Sequence, residues 1–347
     1  MRRTGERVLL TEVGWDRPLQ HEDPDAPVAD PAGREVLVAV EACGVCHRDL
    51  LDRGGRFPFQ RVPIVPGHEA AGRVIAVGPE VRDWKIGDRV GTMHRDACGE
   101  CPSCQRGETS LCERAGFVFG ILADGGYARH LVAPESALYA VPEALSAAEA
   151  AVLHCTFGTA WRDLVTLGGM RSGDRVLVTG ANGGVGAAAI QIAAHAGAEV
   201  IGVVRDERHV AFVKSLGAHA VMVDPGTTFH RRVPGGRVDV ALDTVGVSTF
   251  NASLRSLRVG GRVVVIGNIV EQRAELNLGY IITSGLSVIG GSGATRREMA
   301  ALAAAHERVP FHIAIDAVLP LAEAEQAQRR VRDGGLRGRI VLAMAPG

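Results

Sequence analysis

Apolar and polar residues alternate along positions 35–41, where Val36, Val38 and Val40 fall on one side. That period marks a half-buried strand. Residues 7–13 read as an earlier strand, and short strand-like runs follow at 73–77, 89–93, 127–132 and 138–141. Between them, residues 16–33 carry Pro18, Pro24, Pro27 and Pro31 among acids and read as a surface loop. Many short strands punctuated by Gly and Pro predict an irregular, mostly β domain.

The pattern changes near residue 146. Ser146 and Glu149 have the spacing of a capping box, and apolar helical residues continue through 161–164. Strands are then predicted at 175–179, 199–204, 220–223, 238–243 and 262–266, with helices at 185–196, 207–216 and 249–257. Alternating strand and helix implies a parallel sheet covered on both faces, and continuously apolar strands suit that burial. After Gly293 come a helix (296–306), a strand (312–318), a helix (321–332) and a strand (338–343). This tail is too small for a third domain and is expected to pack back on the first.

A chain of 347 residues suits two domains, at ~100–200 residues each. Lys+Arg is 38 against 39 Asp+Glu, so no basic excess points to nucleic acid or an acidic membrane. No apolar run approaches the ~20 residues of a membrane span. The N-terminal Arg2 and Arg3 lack an apolar stretch behind them, which points to a cytoplasmic protein without a signal peptide. Seven cysteines, an odd count, argue for metal binding or catalysis over a disulfide framework.

Four of them, Cys98, Cys101, Cys104 and Cys112, form a C-x2-C-x2-C-x7-C run in a loop rich in turns. Four thiolates at this spacing suit a closed, structural Zn²⁺ site. An iron–sulfur cluster is the competing ligand reading, and unrelated buried cysteines the plain one.

Gly180-Ala181-Asn182-Gly183-Gly184-Val185-Gly186 follows a predicted strand and opens a predicted helix. Small residues there let the backbone approach a dinucleotide pyrophosphate, and the helix N-terminus supplies N–H groups. Counted back from Gly186, the first glycine of G-x-G-x-x-G is replaced by Ala181. At the end of the next strand, Val204 stands where an acid would bind the NAD ribose, and Arg205 follows. A missing carboxylate beside a guanidinium favours NADP(H) over NAD(H), although Asp206 is near enough to serve a ribose.

Gly44-Val45-Cys46-His47 with Asp49, Gly67-His68-Glu69, Gly87-Asp88-Arg89-Val90, the four-cysteine run, His154-Cys155-Thr156, and 181–186 together resemble the medium-chain zinc-containing alcohol dehydrogenase family over essentially the whole chain. The segment from Asp243 to Tyr280 looks nearest its acryloyl-CoA-reductase-like branch. The resemblance implies an α/β protein with a GroES-like, mostly-β catalytic domain (1–157 and 294–347). Its second domain would be a doubly wound parallel Rossmann cofactor domain (158–293). It also implies a homodimer or homotetramer built through the cofactor domains. Carried over by position, Cys46, His68 and Cys155 bind a catalytic zinc, and Glu69 is a carboxylate that exchanges with its water. Asp49 orients His68. His47 and Arg339 supply cations to the pyrophosphate, and Gly267 and Asn268 belong with the cofactor loop. Two zinc ions per chain are expected.

One departure matters. The family usually has Ser or Thr two residues after the first cysteine ligand, to pass on the alcohol proton. Here Arg48 stands there, and Leu51 replaces the histidine that commonly ends the relay. A guanidinium cannot act as a hydroxyl relay. Either water, Glu69 or His94 moves the proton, or the substrate is not an alcohol. Arg48 could instead anchor an anionic substrate, and His94 lies where the family places pocket side chains. Three functions remain: hydride transfer between NADP(H) and a carbonyl/alcohol substrate, reduction of an activated C=C in an enoyl thioester or enal, and non-catalytic NADPH binding.

Overall fold

A computed structural model describes residues 5–22, 28–224, 228–268 and 273–344. The chain divides into two compact units, one of residues 1–155, 294–304 and 315–347, the other of 156–293 and 305–314.

In the first unit, β1 (Arg7–Leu9) and β2 (Gln20–Glu22) form an antiparallel ribbon. β3 (Glu35–Val45), β4 (Glu69–Val77) and β5 (Arg89–Thr92) pair antiparallel in turn. β6 (His130–Pro134) joins β3, and β7 (Leu138–Ala140) joins β5. β3 runs past the alternating stretch because Ala42, Cys43, Gly44 and Val45 are all buried, so the period of two disappears. Helix Ala147–Leu153 covers that end of β3 and β4. Gly44 admits it: a Cβ there would lie 2.8 Å from a Val152 methyl and clash with Glu69.

The second unit holds β8 (Arg175–Thr179), β9 (Glu199–Val204), β10 (Ala220–Val223), β11 (Val238–Asp243), β12 (Leu257–Val265) and β13 (Ser287–Gly290). They form a parallel sheet in the order β10-β9-β8-β11-β12-β13. The order reverses beside β8, where open α/β sheets bind ligands. β12 begins at Leu257, earlier than the apolar run suggests, and takes the last residue of the predicted helix. Residues 305–314 also belong here rather than with the rest of the tail. Gln191 holds them: its Nε2 donates to His312 O at 2.9 Å and its Oε1 accepts from His312 N at 2.7 Å.

The tail returns to the first sheet. β14 (Ile315–Pro320) lies parallel to β15 (Arg339–Ala343), which pairs antiparallel with β3. Ile340 is opposite Val45, which brings Arg339 to Cys46. Among the described residues, no helix is long and apolar enough to cross a membrane.

Candidate metal centre and cofactor loop

Cys46 leaves β3 as the N-cap of helix His47–Arg53. Its backbone N–H donates to Asp49 Oδ2 at 2.8 Å, so the turn that aims the thiol also fixes the carboxylate. His68 follows Gly67, whose φ of 95° and whose contact with the Tyr127 ring exclude a side chain. A Cβ on Gly67 would lie 2.4 Å from that ring. Cys155 sits in the π-helical turn His154–Gly158, directly after helix Ala147–Leu153. Such turns recur at functional sites because the extra residue redirects a side chain.

These elements bring Cys46, His68, Glu69 and Cys155 together, with ligand atoms within 4.8 Å of one another and all four residues buried. Cys46 Sγ lies 3.8 Å from Cys155 Sγ, which lies 3.7 Å from His68 Nε2. His68 Nε2 is 3.9 Å from Glu69 Oε1. Ligands placed tetrahedrally about 2.0–2.3 Å from a Zn²⁺ stand roughly 3.3–3.8 Å apart, so the Cys46–Cys155 and Cys155–His68 spacings have the dimensions of a zinc shell. Neither Glu69 oxygen has a hydrogen bond, which suits a carboxylate kept for a cation. Asp49 Oδ1 is 3.2 Å from His68 Nδ1, so it accepts from Nδ1–H and leaves Nε2 as the ring atom that faces the Cys155 sulfur.

Charge in this cluster is shared. Burial raises the Glu69 carboxyl to about 7 against the pull of Arg339, whose Nη2 is 3.1 Å away. The Cys155 thiol hydrogen-bonds Cys46, which drops well below the usual thiol range while Cys155 rises above it. Burial opposes a charge on His68, but Asp49 and the Cys46 thiol carry it up to about 9. Arg339, expected at a pyrophosphate, points here instead: its Nη2 is 3.5 Å from both sulfurs. His47 is partly buried beside Cys46, and desolvation lowers its pKa.

The His94 ring lies 5.0 Å from that of His68 and 4.6 Å from that of His154. Burial keeps His94 uncharged, and its Nε2 has no hydrogen-bond partner. Arg48 is engaged. Its Nη2 donates to the Phe119 carbonyl and lies 3.2 Å from Asp52, whose carboxyl burial raises to about 7. Leu51 is partly buried on the same helix.

The ligand atoms of Cys98, Cys101, Cys104 and Cys112 also converge within 4.8 Å. Backbone N–H groups of Glu100 and Cys101 donate to Cys98 Sγ at 3.4 and 3.3 Å, and that of Cys98 to Cys112 Sγ at 3.3 Å. Donors aimed at sulfur stabilise thiolates. Backbone bonds bring Cys101 down to about 6.

In the second unit, Gly180 ends β8 with φ of 56°, and the Thr244 hydroxyl would stand 2.6 Å from a Cβ there. Gly180 thus makes the turn that the replaced glycine would have made, and Ala181 is buried against Gly202. Gly183 caps helix Gly184–His195, with Val185 partly buried in its first turn. Gly186 packs so close that a Cβ would lie 2.2 Å from Gly180 O. Gly267 leaves no room for a Cβ over Thr244, and Asn268 is exposed. The sequence pattern did not single out Asp243, which is fully buried. It accepts from the N–H groups of Val245 and Gly246 and from the hydroxyls of Thr249 and Ser253, and so holds this rim rigid. Val204 is the buried last residue of β9, Arg205 is exposed, and Asp206 Oδ1 caps the next turn through Arg208 N at 3.0 Å.

Comparison with known proteins agrees with this arrangement. Residues 32–143 match the alcohol dehydrogenase GroES-like domain, and 184–308 match the zinc-binding dehydrogenase model. An acryloyl-coenzyme A reductase of Metallosphaera sedula is 34% identical over 90% of this chain and 93% of its own. An alcohol dehydrogenase of Geobacillus stearothermophilus is 32% identical over 94% and 97%. The crystal structure of AibC superposes with a TM-score of 0.92 at 38% identity, covering 100% of this chain and 97% of that one. The chain therefore belongs to the medium-chain, zinc-binding dehydrogenase/reductase family, near its acryloyl-CoA reductase branch, and is an enzyme with a GroES-like domain and a Rossmann domain.

Proposed function

We propose that the enzyme transfers hydride between NADP(H) and a carbonyl/alcohol substrate, at a zinc ion held by Cys46, His68 and Cys155. The carrying observation is the spacing of those three donors, 3.7 and 3.8 Å, beside the buried Glu69 carboxylate. Two thiolates and an imidazole suit Zn²⁺ and leave a position for a substrate oxygen. When bound, zinc supplies Lewis-acid polarisation of that oxygen and the nicotinamide supplies hydride.

The chain's own residues supply orientation and proton handling. Asp49 holds the His68 tautomer. Glu69 would be the carboxylate available to the metal beside those three ligands. His94 presents an unpartnered Nε2 next to His68, suited to orient a substrate oxygen or pass a proton. Arg48 acts through Asp52 and the Phe119 carbonyl, and these partners leave little of its charge for an anionic substrate. His47 keeps its family assignment to the pyrophosphate, whereas the Arg339 guanidinium is turned to the Cys46 and Cys155 sulfurs and to Glu69. Arg205 favours the 2′-phosphate of NADP(H): it is exposed and makes no ion pair among the described residues. The four-cysteine cluster holds a second, structural zinc. A homodimer or homotetramer through the cofactor unit is supported by exposed Leu278, Ile282 and Val288.

A second reading has its own observation. Arg48, locked to Asp52, and Leu51 offer no hydroxyl relay. Reduction of an activated C=C in an enoyl thioester or enal needs no proton taken from an alcohol, and similarity to acryloyl-coenzyme A reductase supports it. The test is NADPH with a panel of aldehydes, ketones and 2-enoyl thioesters, followed by absorbance and product mass. Turnover on carbonyls alone supports the first reading, and turnover on enoyl compounds alone rejects it. Arg205→Ala should raise the NADPH KM about tenfold, equivalent to one lost charge-assisted contact, and leave the NADH KM unchanged. A parent enzyme that prefers NADH would overturn the NADP(H) assignment.

A further inference from the structure

The Asp49 carboxylate that orients His68 is itself held from behind. Cys46 N–H and the Tyr127 hydroxyl both donate to its Oδ2, at 2.8 and 3.2 Å. Tyr127 is fully buried, and its ring is the surface against which Gly67 packs. The phenol in turn meets the side chain of Gln328, from helix Ala324–Asp333 near the end of the chain. Gln328 Oε1 accepts from Arg53 Nη1 at 3.2 Å. Its Nε2 has no hydrogen-bond partner, so the bond to Arg53 is what ties Gln328 to the helix that carries Asp49.

Arg53 links Gln328 to the metal centre, because it is the last residue of the helix that carries Asp49. It is 1% exposed. Its Nη1 lies 2.8 Å from Glu325, its Nη2 donates to Arg17 O at 2.9 Å, and its guanidinium lies 4.5 Å from the Trp15 ring. Tyr127 and Gln328 therefore each hold one short helix, Tyr127 through Asp49 and Gln328 through Arg53. Asp49, Gln328 and Arg53 are each 1% exposed, so water cannot take over a lost bond. Held behind Asp49 by Tyr127 and at its end by the Arg53–Gln328 bond, the helix keeps its roll and the Asp49 carboxylate stays on His68.

We propose that Tyr127 and Gln328 are positioning residues of the metal centre, coupling the His68–Asp49 pair to the C-terminal helix. The proposal rests on the reading of Cys46, His68 and Cys155 as a zinc site. Partners behind a ligand histidine typically carry a 10–100-fold share of metal affinity. Their loss weakens one metal and spares the four-cysteine metal, whereas a general packing role weakens neither selectively.

The experiment measures zinc dissociation constants of the full chain at both sites, by competition with a chromophoric chelator, and the visible spectrum after cobalt substitution. Tyr127→Phe should weaken one zinc about tenfold, at the low end of that range, leave the other unchanged and shift the cobalt bands. Gln328→Met should do the same by a few-fold. Affinities within twofold of the parent at both sites, with unmoved cobalt bands, overturn the proposal. If Tyr127→Phe loses both metals, which marks misfolding, Gln328→Met decides: selective weakening supports the link and unchanged affinity removes it. Loss of both metals in both variants also overturns it, since a folding role then suffices. A parent that binds only the four-cysteine zinc would sink the underlying metal-centre reading. A two-zinc parent with unmoved variants sinks only the link.

Discussion

The two cysteine clusters of the first unit show opposite ways to build a metal site. Cys98, Cys101, Cys104 and Cys112 fall within fifteen residues, and their own loop supplies the N–H groups that face the sulfurs. Cys46 and Cys155 are 109 residues apart, and the centre between them draws on β3, β4, a π-helical turn and β15. The first cluster is all sulfur and closes on itself. The second mixes sulfur, imidazole and a carboxylate without a hydrogen bond, and it needs Asp49 to aim its histidine. Local assembly suits a metal that holds a loop in shape. Assembly from distant elements suits a metal with one position open, because rigid strands and not the metal fix the ligands.

The contrast breaks most sharply at Cys46. Cys46→Ser should remove one of two zinc ions and lower kcat/KM by at least about a thousandfold, since Lewis-acid polarisation is worth several kcal/mol and each 1.36 kcal/mol is tenfold. The melting temperature should stay close to the parent's, because β3, β4 and β15 do not need the metal to pair. Metal analysis beside calorimetry checks both halves. A variant that unfolds would mean that the open centre is structural after all.

Cys101→Ser should behave in reverse. It removes the other zinc and with it the anchor of a loop that has little core of its own. The expected cost is several kcal/mol, seen as a drop on the order of 10 °C in melting temperature. Activity per folded molecule should change less than about threefold, far below the effect of losing a catalytic Lewis acid. A large loss of kcat at full folding would end the division of labour between the clusters.

The same contrast explains what was legible in the sequence. The four-cysteine run is a motif in one loop, and spacing alone suggested its ligand set. The strands at 175–179, 199–204, 220–223 and 238–243 were equally plain, because burial on both faces leaves continuous apolar runs. Helix His47–Arg53 had no such signal. It is seven residues long, and the ones it buries are Asp49, Asp52 and Arg53, the reverse of an apolar face. β13 escaped notice for a related reason: it is a four-residue edge strand with three residues exposed and none buried, so no buried run marks it. Tyr127, Gln328 and Arg53 lay beyond any local pattern, since 275 positions separate Gln328 from Arg53. At the Cys46, His68, Glu69 and Cys155 cluster the candidate ligand types came from family motifs, and only the fold could supply the 3.7–3.9 Å spacings.

The smallest expected effect asks how far a local defect travels toward the distant-element centre. Ser146 caps the helix that leads to Cys155: its Oγ accepts from Glu149 N at 3.3 Å, and Glu149 Oε2 accepts from Ser146 N at 2.8 Å. Ser146→Ala removes the first bond and the hydroxyl's own bond to Glu149, and keeps the second. Ser146 is exposed, so water can solvate the freed N–H. The cost should be about 1 kcal/mol, or a fall of roughly 2–4 °C in melting temperature for a domain of this size. Cys155 lies at the far end of this helix, past Ala150, Ala151, Val152 and Leu153, all nearly fully buried. Fraying from the cap should stop at those residues, because extending it would expose their apolar surface, at roughly 25 cal/mol per Å². Zinc affinity at Cys46, His68 and Cys155 should therefore stay within about twofold of the parent's, equivalent to less than 0.5 kcal/mol. Chelator competition on the variant measures it. A tenfold weakening would show that the helix start, and not its buried middle, sets the place of Cys155.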